Sequence, residues 1–346
     1  MIDFRYHLVS IVAVFLALAI GIVLGATNLR GGTLDLLQTT NDSLKNQLTA
    51  AQAARDGYLN QSSAAEQFLQ SAEPRLLDKQ LDGESVVIVT EPGAQGSVVD
   101  GVKQAVTLAG ATVTGEVALQ PKFNDISGAT QSSLSSINNS IASSNGTTLT
   151  AGSNPQTTYQ QQAAQLIASA ILATTTTAVA PTDEQTLLSA YAQAGYLTVS
   201  PSGAPTAPAQ LAVIVTPQSA PGDGQNDPAN QVLLAVAQEF AGASSATLVA
   251  GSALGSAQSG SAMSVLRSSS VSSQVSSVDD ADLTLGQITV VDALAYQLAG
   301  KKPNSYGISG ASAVSPVPLP TPTATATSTP TQTPHTTTTR KAGAKK

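Results

Sequence analysis

Residues 8–26 read LVSIVAVFLALAIGIVLGA, nineteen residues with a single polar side chain and no charge. This length fits the roughly 20 residues with which an α-helix crosses the hydrocarbon core of a bilayer. Phe4 and Tyr6 lie just before it, where aromatic rings favour the headgroup region. The stretch therefore predicts a transmembrane helix that follows a short leader, residues 1–7.

A cleaved secretory signal is the alternative, with Val23 and Gly25 as the small residues of a cleavage site. The apolar run is longer than the about 7 to 15 residues of a signal core, and Asp3 offsets Arg5 in the leader. A retained anchor is therefore favoured. Basic residues on the two sides nearly balance, and we place the short leader in the cytoplasm. The prediction is a single-pass membrane protein whose bulk lies outside the cytoplasm, in the cell envelope.

Four small residues recur at every fourth position of the predicted membrane helix: Ala13, Ala17, Gly21 and Gly25. Such a face lets two membrane helices approach closely, as in the GxxxG pattern. Glycine and alanine are also common in membrane helices for other reasons, so the pattern alone leaves both interpretations open. We define these four residues as the small face.

A heptad pattern follows a predicted spacer at residues 27–33 and extends over residues 34–76, which we call the stalk. Ten of its thirteen core positions are apolar or aromatic, and such a sustained seam predicts a coiled coil. Asn41 at a core position favours a two-stranded parallel register and hence a parallel homodimer. A single amphipathic helix packed on its own domain is the alternative. The core positions include Leu34, Leu37, Asn41, Leu44, Leu48, Ala51 and Leu69.

Beyond the stalk, the sequence alternates between strand and helix patterns. SVVIVT at residues 85–90 is typical of a strand buried on both faces. A helical pattern at residues 98–108 and a second strand pattern at 111–119 complete a βαβ unit. The alternation continues to a last helix at residues 284–298. It predicts a Rossmann or flavodoxin-like three-layer α/β domain over residues 85–313, with a mostly parallel sheet.

Three further segments depart from this regular alternation of strand and helix patterns. Residues 127–158 are rich in Ser, Asn and Thr and are interpreted as surface loops around one weak helix. Residues 274–278 suggest an edge strand. Residues 315–346 are dominated by Pro, Thr, Ala and Ser and predict a disordered tail, a composition that also occurs in O-glycosylated spacers.

Composition excludes several functions. Between residues 85 and 313, five basic residues face thirteen acidic ones, which argues against nucleic-acid binding because no basic patch can form. The chain has no cysteine, and its two histidines, His7 and His335, lie outside the predicted domain. Serine and cysteine catalysis with a histidine base, and histidine-ligated metals, are therefore excluded there. We predict no enzyme, no cofactor, and no catalytic, cofactor-binding or metal-ligating residue.

Motifs that suggest ligands have simpler structural interpretations. Residues 93–96 (GAQG) match neither the dinucleotide fingerprint nor the P-loop. A calcium loop from Asp223 would require a glutamate at its twelfth position, where Leu234 stands. Asp227 is instead interpreted as a helix cap before a first-turn proline. Asp279, Asp280 and Asp282 form an acidic cluster, for which turn and capping roles are favoured over a cation site.

Three stretches resemble the actinobacterial copper transport protein B (MctB-like) family. They are the opening MIDFRYHLVSIVAVFLALAIGIVLGA, then GESVVIVTEPGA, and VSSVDDADLTLGQITVVDALAYQLAGK near the end of the domain. The likeness spans roughly residues 1 to 313. The chain departs from it at residues 304–307, NSYG, where many members have Gly-His-Tyr-Gly. The resemblance implies an envelope protein of copper homeostasis or efflux, described as an outer-membrane channel component in mycobacteria, with some relatives linked to envelope maintenance and division.

The chemistry of the residues limits how such a protein could handle copper. Copper(I) prefers sulfur ligands, and Met1 and Met263 carry the only sulfur atoms of the chain. One helix cannot form a pore. A transport role therefore implies oligomers or an envelope protein partner. The family resemblance is the only indication that copper is involved. The second hypothesis is a bitopic coiled-coil dimer that acts as a structural or signalling scaffold in the envelope.

Overall fold

A computed structural model describes residues 4–172, 181–199, 205, 207–218 and 224–316, apart from the side chains of residues 4–5, 27–35 and 181–184. The predicted tail from residue 317 onward lies outside the described residues. We call the described residues from 77 to 316 the head.

One helix, α1, runs without a break over Phe4–Leu76, 73 residues. Its segment Tyr6–Ala26, with a mean hydropathy of 2.9, is long and apolar enough to cross a membrane. At about 1.5 Å per residue, α1 is about 110 Å long. The predicted spacer at residues 27–33 is corrected, because the helix continues through it. Extending an existing helix requires no new nucleation step. The helical segments on both sides therefore compensate for the low helix propensity of the two glycines in this stretch.

The head contains one seven-stranded sheet. Its strands are β1 (Ser85–Thr90), β2 (Thr112–Leu119), β3 (Leu197–Val199), β4 (Leu211–Val215), β5 (Ala246–Ala250), β6 (Ser276–Val278) and β7 (Ser305–Tyr306). The order across the sheet is β3-β2-β1-β4-β5-β6-β7. All neighbouring pairs are parallel except β2 and β3. The mostly parallel sheet is therefore confirmed, while the predicted edge strand at 274–278 is wrong in position, because β7 covers β6.

Helices connect most of these strands. They are α2 (Gly96–Leu108), α3 (Gly128–Asn145), α4 (Thr158–Ile171), α5 (Pro181–Gln193), α6 (Pro228–Ala243), α7 (Ala253–Ser256), α8 (Ala262–Ser268) and α9 (Thr284–Leu298). The segment predicted as loops around a weak helix contains α3, 18 residues long. The sequence of α3 is polar, but Leu134 and Asn138 are fully buried. Four buried residues, Thr130, Leu134, Asn138 and Ala142, fix the helix on the head although its apolar pattern is weak.

Both faces of the sheet are covered by apolar side chains, as alternation along the buried strands requires. Val87 and Val89 of β1 face a cluster that includes side chains of α4 and α6. Val86 and Ile88 face the opposite cluster, which includes side chains of α2 and α9. The head is therefore a helix, sheet and helix sandwich.

The last turns of α1 pack on the head through α9. Leu69 packs against the cluster of α2 and α9, Glu73 is buried, and Leu77 is fully buried. The Glu66 carboxylate accepts hydrogen bonds from the Thr284 backbone N (2.9 Å) and Oγ1 (2.5 Å) at the start of α9. The N-cap residue of α9 supplies no side-chain hydrogen bond itself. A carboxylate of α1 therefore caps α9, and this contact joins the end of the stalk to the head.

Replacing Glu66 by glutamine should weaken this junction by about 1 kcal/mol, because the cap loses its charge at a helix N-terminus. Hydrogen exchange of the first-turn amides of α9 should become about fivefold faster in the full-length chain. Asp78→Asn, at an exposed carboxylate just beyond α1, is the matched control and should leave these amides unchanged. Equal exchange rates in both variants would show that the contact does not hold α9.

Candidate functional site

The small face lies on the candidate membrane span of α1, Tyr6–Ala26. Ala13, Ala17, Gly21 and Gly25 are all exposed, and a Cβ placed on Gly21 or Gly25 would meet nothing within 4 Å. The single chain therefore does not use these residues for packing. Their role in pairing stays a prediction.

The small face and the heptad seam wind around α1 in opposite directions. A step of four residues advances by about 40° on a straight α-helix, whereas a heptad seam drifts back by about 20° per seven residues. Because α1 is unbroken, the two faces have a fixed relation. When the seam is extended toward the N-terminus, Gly25 lies nearly opposite to it. A partner that follows the seam therefore does not meet the whole small face.

Most of the predicted seam is uncovered in the single chain. Leu37, Leu44, Leu48 and Tyr58 are 60–73% exposed, and Asn41 and Ala51 are exposed as well. The side chain of Leu34 lies outside the described set. Leu69 differs from these residues, because the head half-buries it. The alternative of a helix packed on its own domain thus describes the end of α1.

A second feature of interest is the edge of the sheet where the parallel strands end. Glu91 directly follows β1, and its backbone N donates to the carbonyl of Val215 at the end of β4. β1 and β4 are neighbours that continue to opposite sides of the sheet. In open α/β sheets, ligands bind in the crevice outside such a switch point. This edge is therefore the candidate functional site of the head.

Glu91 is a buried acid without a counter-charge. It is 5% exposed, and Oε1 has no hydrogen-bond partner within the described part of the chain. Burial raises the pKa of Glu91 to about 8, because a low-dielectric environment penalises the ionised form. At neutral pH the group is mostly a neutral acid, able to donate a hydrogen bond.

Arg267 and Asp279 form a buried ion pair a few strands away. Nη1 of Arg267 lies 2.8 Å from Oδ2 of Asp279, and the two side chains are 13% and 0% exposed. The guanidinium also donates to Ser277 Oγ and to the carbonyls of Tyr306 and Ser309. The Asp279 carboxylate accepts the backbone N of Ser309 and of the residue before it. The pair therefore clamps α8, β6 and the segment after β7.

The aspartates of the acidic cluster differ in their hydrogen bonding. The carboxylate of Asp282 accepts a hydrogen bond from the backbone N of Ala253, and Asp279 clamps a turn, in line with the favoured interpretation of the cluster. Neither carboxylate oxygen of Asp280 has a hydrogen-bond partner among described residues. Burial, and then the nearby Asp279, raise the pKa of Asp280 to about 6. Asp280 is therefore a second buried carboxyl at this edge with a raised pKa, which still leaves it mostly ionised at neutral pH.

The other ligand-like motifs have structural roles where the structure describes them, whereas Asp223, the first position of the calcium-loop alternative, lies outside the described residues. Asp227 accepts the backbone N of Ala229 and precedes Pro228, as expected of a cap at the start of α6. Gly93 takes φ +89 in the turn after β1, where a Cβ would lie 3.3 Å from that of Pro217. This turn closes the edge of the sheet between β1 and β4.

The donor set of the head is poor in metal ligands. No group of three or more His, Asp or Glu side chains that could hold a metal occurs in the described ranges. Met263 is 1% exposed, and a single thioether is a weak site for copper. Carboxyl groups must be deprotonated to ligate a metal, which disfavours Glu91 in the apo protein at neutral pH.

A polar groove opens beside the Arg267 clamp. It has a volume of about 620 Å³ and is lined mainly by serines, with Gln258, Arg267 and Gly310. The charge of Arg267 is already balanced by Asp279. The groove is therefore a neutral, hydroxyl-rich surface.

Sequence reasoning missed Glu91 and Arg267 as important groups. Glu91 carries one signal, an acidic residue directly after a fully buried strand, which parallel topology brings to the carboxyl edge. No local sequence signal points to Arg267, because its ion-pair partner lies 12 residues further on and its other acceptors lie in β6 and beyond.

The family model and the individual relatives that match this chain all carry the same name. A family model described as copper transport outer membrane protein, MctB, matches residues 1–318. The copper transporter MctB of Mycobacterium tuberculosis (strain ATCC 25618 / H37Rv) is 34% identical over 322 residues, which cover 91% of this chain and 98% of that protein. The copper transporter MctB of Mycobacterium leprae (strain TN) is 30% identical over 325 residues, which cover 91% and 99%.

Proposed function

Because the chain belongs to the MctB family of copper transport outer membrane proteins, we propose that it serves in copper homeostasis or efflux as a membrane-anchored protein of the cell envelope. The observation that carries the proposal is the match over residues 1–318, which includes the apolar helix, the stalk and the head. The N-terminus lies in the cytoplasm and the head lies outside it.

The protein contributes to copper handling through oligomers or an envelope protein partner rather than through copper ligands of its own. The support is chemical: the head has no cysteine or histidine, and its one methionine is buried. Copper(I) sites are built from several soft sulfur ligands. The strand order β3-β2-β1-β4-β5-β6 is that of doubly wound Rossmann sheets apart from the reversed β3, which favours the crevice beside Glu91 as the place for any small ligand.

Deleting the gene should raise cellular copper and lower the copper concentration at which growth stops, and the full-length gene should reverse both effects. A gene without residues 8–26 should fail to complement, because the head loses its anchor. Unchanged copper content and unchanged copper tolerance in the deletion strain would refute the copper role.

A copper(I) titration of the purified full-length chain tests the second part of the proposal. We expect no stoichiometric, high-affinity binding. A tight one-to-one complex would show that the chain supplies copper ligands, and would direct attention to Met263 and to the buried carboxyl groups.

The alternative function is a dimeric scaffold in envelope maintenance or division. The exposed apolar seam of the stalk favours it, since single-chain packing leaves Leu37, Leu44 and Leu48 in solvent. A parallel homodimer would cover them as a coiled coil. Defects in cell shape or septation in the deletion strain, with normal copper content, would support the scaffold over the copper role.

A further inference from the structure

The geometry points to a stalk that changes its partner along its length: residues 34–58 pair with a second copy of the chain, and residues 66–77 pack on the chain's own head. The inference rests on the dimer contained in the proposed function and adds where that dimer ends. In its simplest form, the heptad seam predicts pairing along all of residues 34–76. The contacts of the head with residues 66–77 favour a shorter paired segment.

The second copy is favoured as the partner of residues 34–58 by exposed apolar area. Leu37, Leu44, Leu48, Tyr58 and Leu59 are each at least 59% exposed. Together with their neighbours they present an area on the order of several hundred Å² per copy, close to the about 800 Å² that each partner of a specific interface buries. Outside α1, exposed large apolar side chains are rare among the described residues of the head.

Charge does not oppose self-association of this part. The flanking positions that face each other in a parallel coiled coil are mostly Thr, Gln, Ala and Leu, with Lys45 as a charged exception. Arg55 occupies a core position, but its guanidinium bonds the adjacent Asp56 at 2.8 Å. Like-charge pairs across the seam therefore stay few.

The end of the seam is occupied by the head. Leu69 is a core position of the heptad pattern, yet it packs against the cluster of α2 and α9. Ala72, the next core position, is half-buried. Glu66 caps α9, and Glu73 lies buried on the same side of the helix. The part of Leu69 that the head covers is therefore not available to a second α1.

Two paired helices must therefore separate between Tyr58 and Glu66. Facing helices in contact lie about 8–10 Å apart, and each head places α9 on its own α1 beyond this point. The weak core residue Ser62 and the helix-disfavouring Gly57 lie at the transition. The result is a fork, with one paired shaft and two separately held heads.

Cysteine cross-linking tests the fork, because the natural chain contains no cysteine. In full-length protein in native membranes, single cysteines at Leu44 and Leu48 should form intermolecular disulfides with diamide. Asn46→Cys, on the opposite side of the helix, is the matched control and should not. Leu69→Cys should cross-link at least tenfold more slowly than Leu44→Cys. Adding Thr284→Val, which removes a hydrogen bond to Glu66, should raise the Leu69→Cys rate.

The outcomes separate the fork from the dimer. Equal rates at Leu44 and Leu69 would overturn the fork and leave the dimer intact. Rates at Leu44 and Leu48 no higher than at Asn46 would overturn the dimer itself. Spin labels give an independent measurement: the distance between copies at Gln70 should exceed that at Thr49, which occupies the same heptad position, by about 10 Å, roughly one helix diameter. Equal distances would again overturn the fork.

Discussion

Glu91→Gln is expected to make the head more stable at pH 7.5 by roughly 4 kcal/mol, and by less than about 1 kcal/mol at pH 5. The folded state holds the proton of Glu91 up to a pKa of about 8, whereas the unfolded chain releases it near 4.5. Between these values the folded state binds more protons, so the free energy of unfolding falls as pH rises. Glutamine keeps the shape and removes this cost.

The measurement is urea-dependent pulse proteolysis of the full-length chain in membranes at both pH values. Glu116→Gln is the matched control, because the Glu116 carboxylate pairs with Lys103 and the two side chains are 21% and 34% exposed. We expect the control to change the free energy of unfolding by less than about 1 kcal/mol at either pH. If Glu91→Gln were no more stable than the natural chain at pH 7.5, Glu91 would be ionised and paired, contrary to the structure.

A costly buried acid at the switch point is the kind of local conflict that marks functional sites. Burying a carboxyl without a partner destabilises the fold, and Oε1 of Glu91 has no hydrogen-bond partner within the described part of the chain. The same holds for Asp280, whose oxygens have no hydrogen-bond partner among the described residues. Stability alone therefore does not account for either residue. This supports the carboxyl edge of the sheet as the place where the head meets a ligand or partner.

The elements of the fold were largely predictable because their signals are local. The runs SVVIVT and ATLVA became β1 and β5, since uninterrupted apolar residues suit strands buried on both faces. Helix α9 was predicted at its observed bounds. The strand order was not predictable, because it depends on which apolar faces cover each other after folding. β7, two residues long, has no pattern of its own and is held by β6 and by the Arg267 clamp.

The stalk shows the limit of a pattern that fits two structures. Core positions of a coiled coil and the inner face of a helix packed on its own domain share the same spacing. Leu48 and Leu69 occupy the same heptad position, yet the first is exposed and the second packs on the head. Distant parts of the chain decide between the two: Leu69 packs against the cluster of α2 and α9, and Thr284 bonds Glu66 across 218 residues of sequence.

Arg267→Ala is expected to destabilise the head by about 3 to 5 kcal/mol, because it leaves the fully buried Asp279 carboxylate without its counter-charge. The guanidinium also bonds Ser277 of β6 and the carbonyls of Tyr306 and Ser309. Its loss therefore frees the outer edge of the sheet at β6 and β7. Amides of the segment after β7 should lose their protection from hydrogen exchange first.

Lys103→Ala is the matched control, since the Lys103–Glu116 pair is partly exposed and is expected to contribute less than about 1 kcal/mol. Arg267→Lys keeps the charge but not the planar fork, so it should lose stability to an intermediate degree. It also provides a folded variant if Arg267→Ala does not accumulate in membranes. A buried pair that is broken costs more than an exposed one, because the remaining charge keeps its desolvation penalty. Equal losses in Arg267→Ala and Lys103→Ala would mean that Asp279 is satisfied by its backbone donors alone, and that the edge of the sheet is held without the arginine.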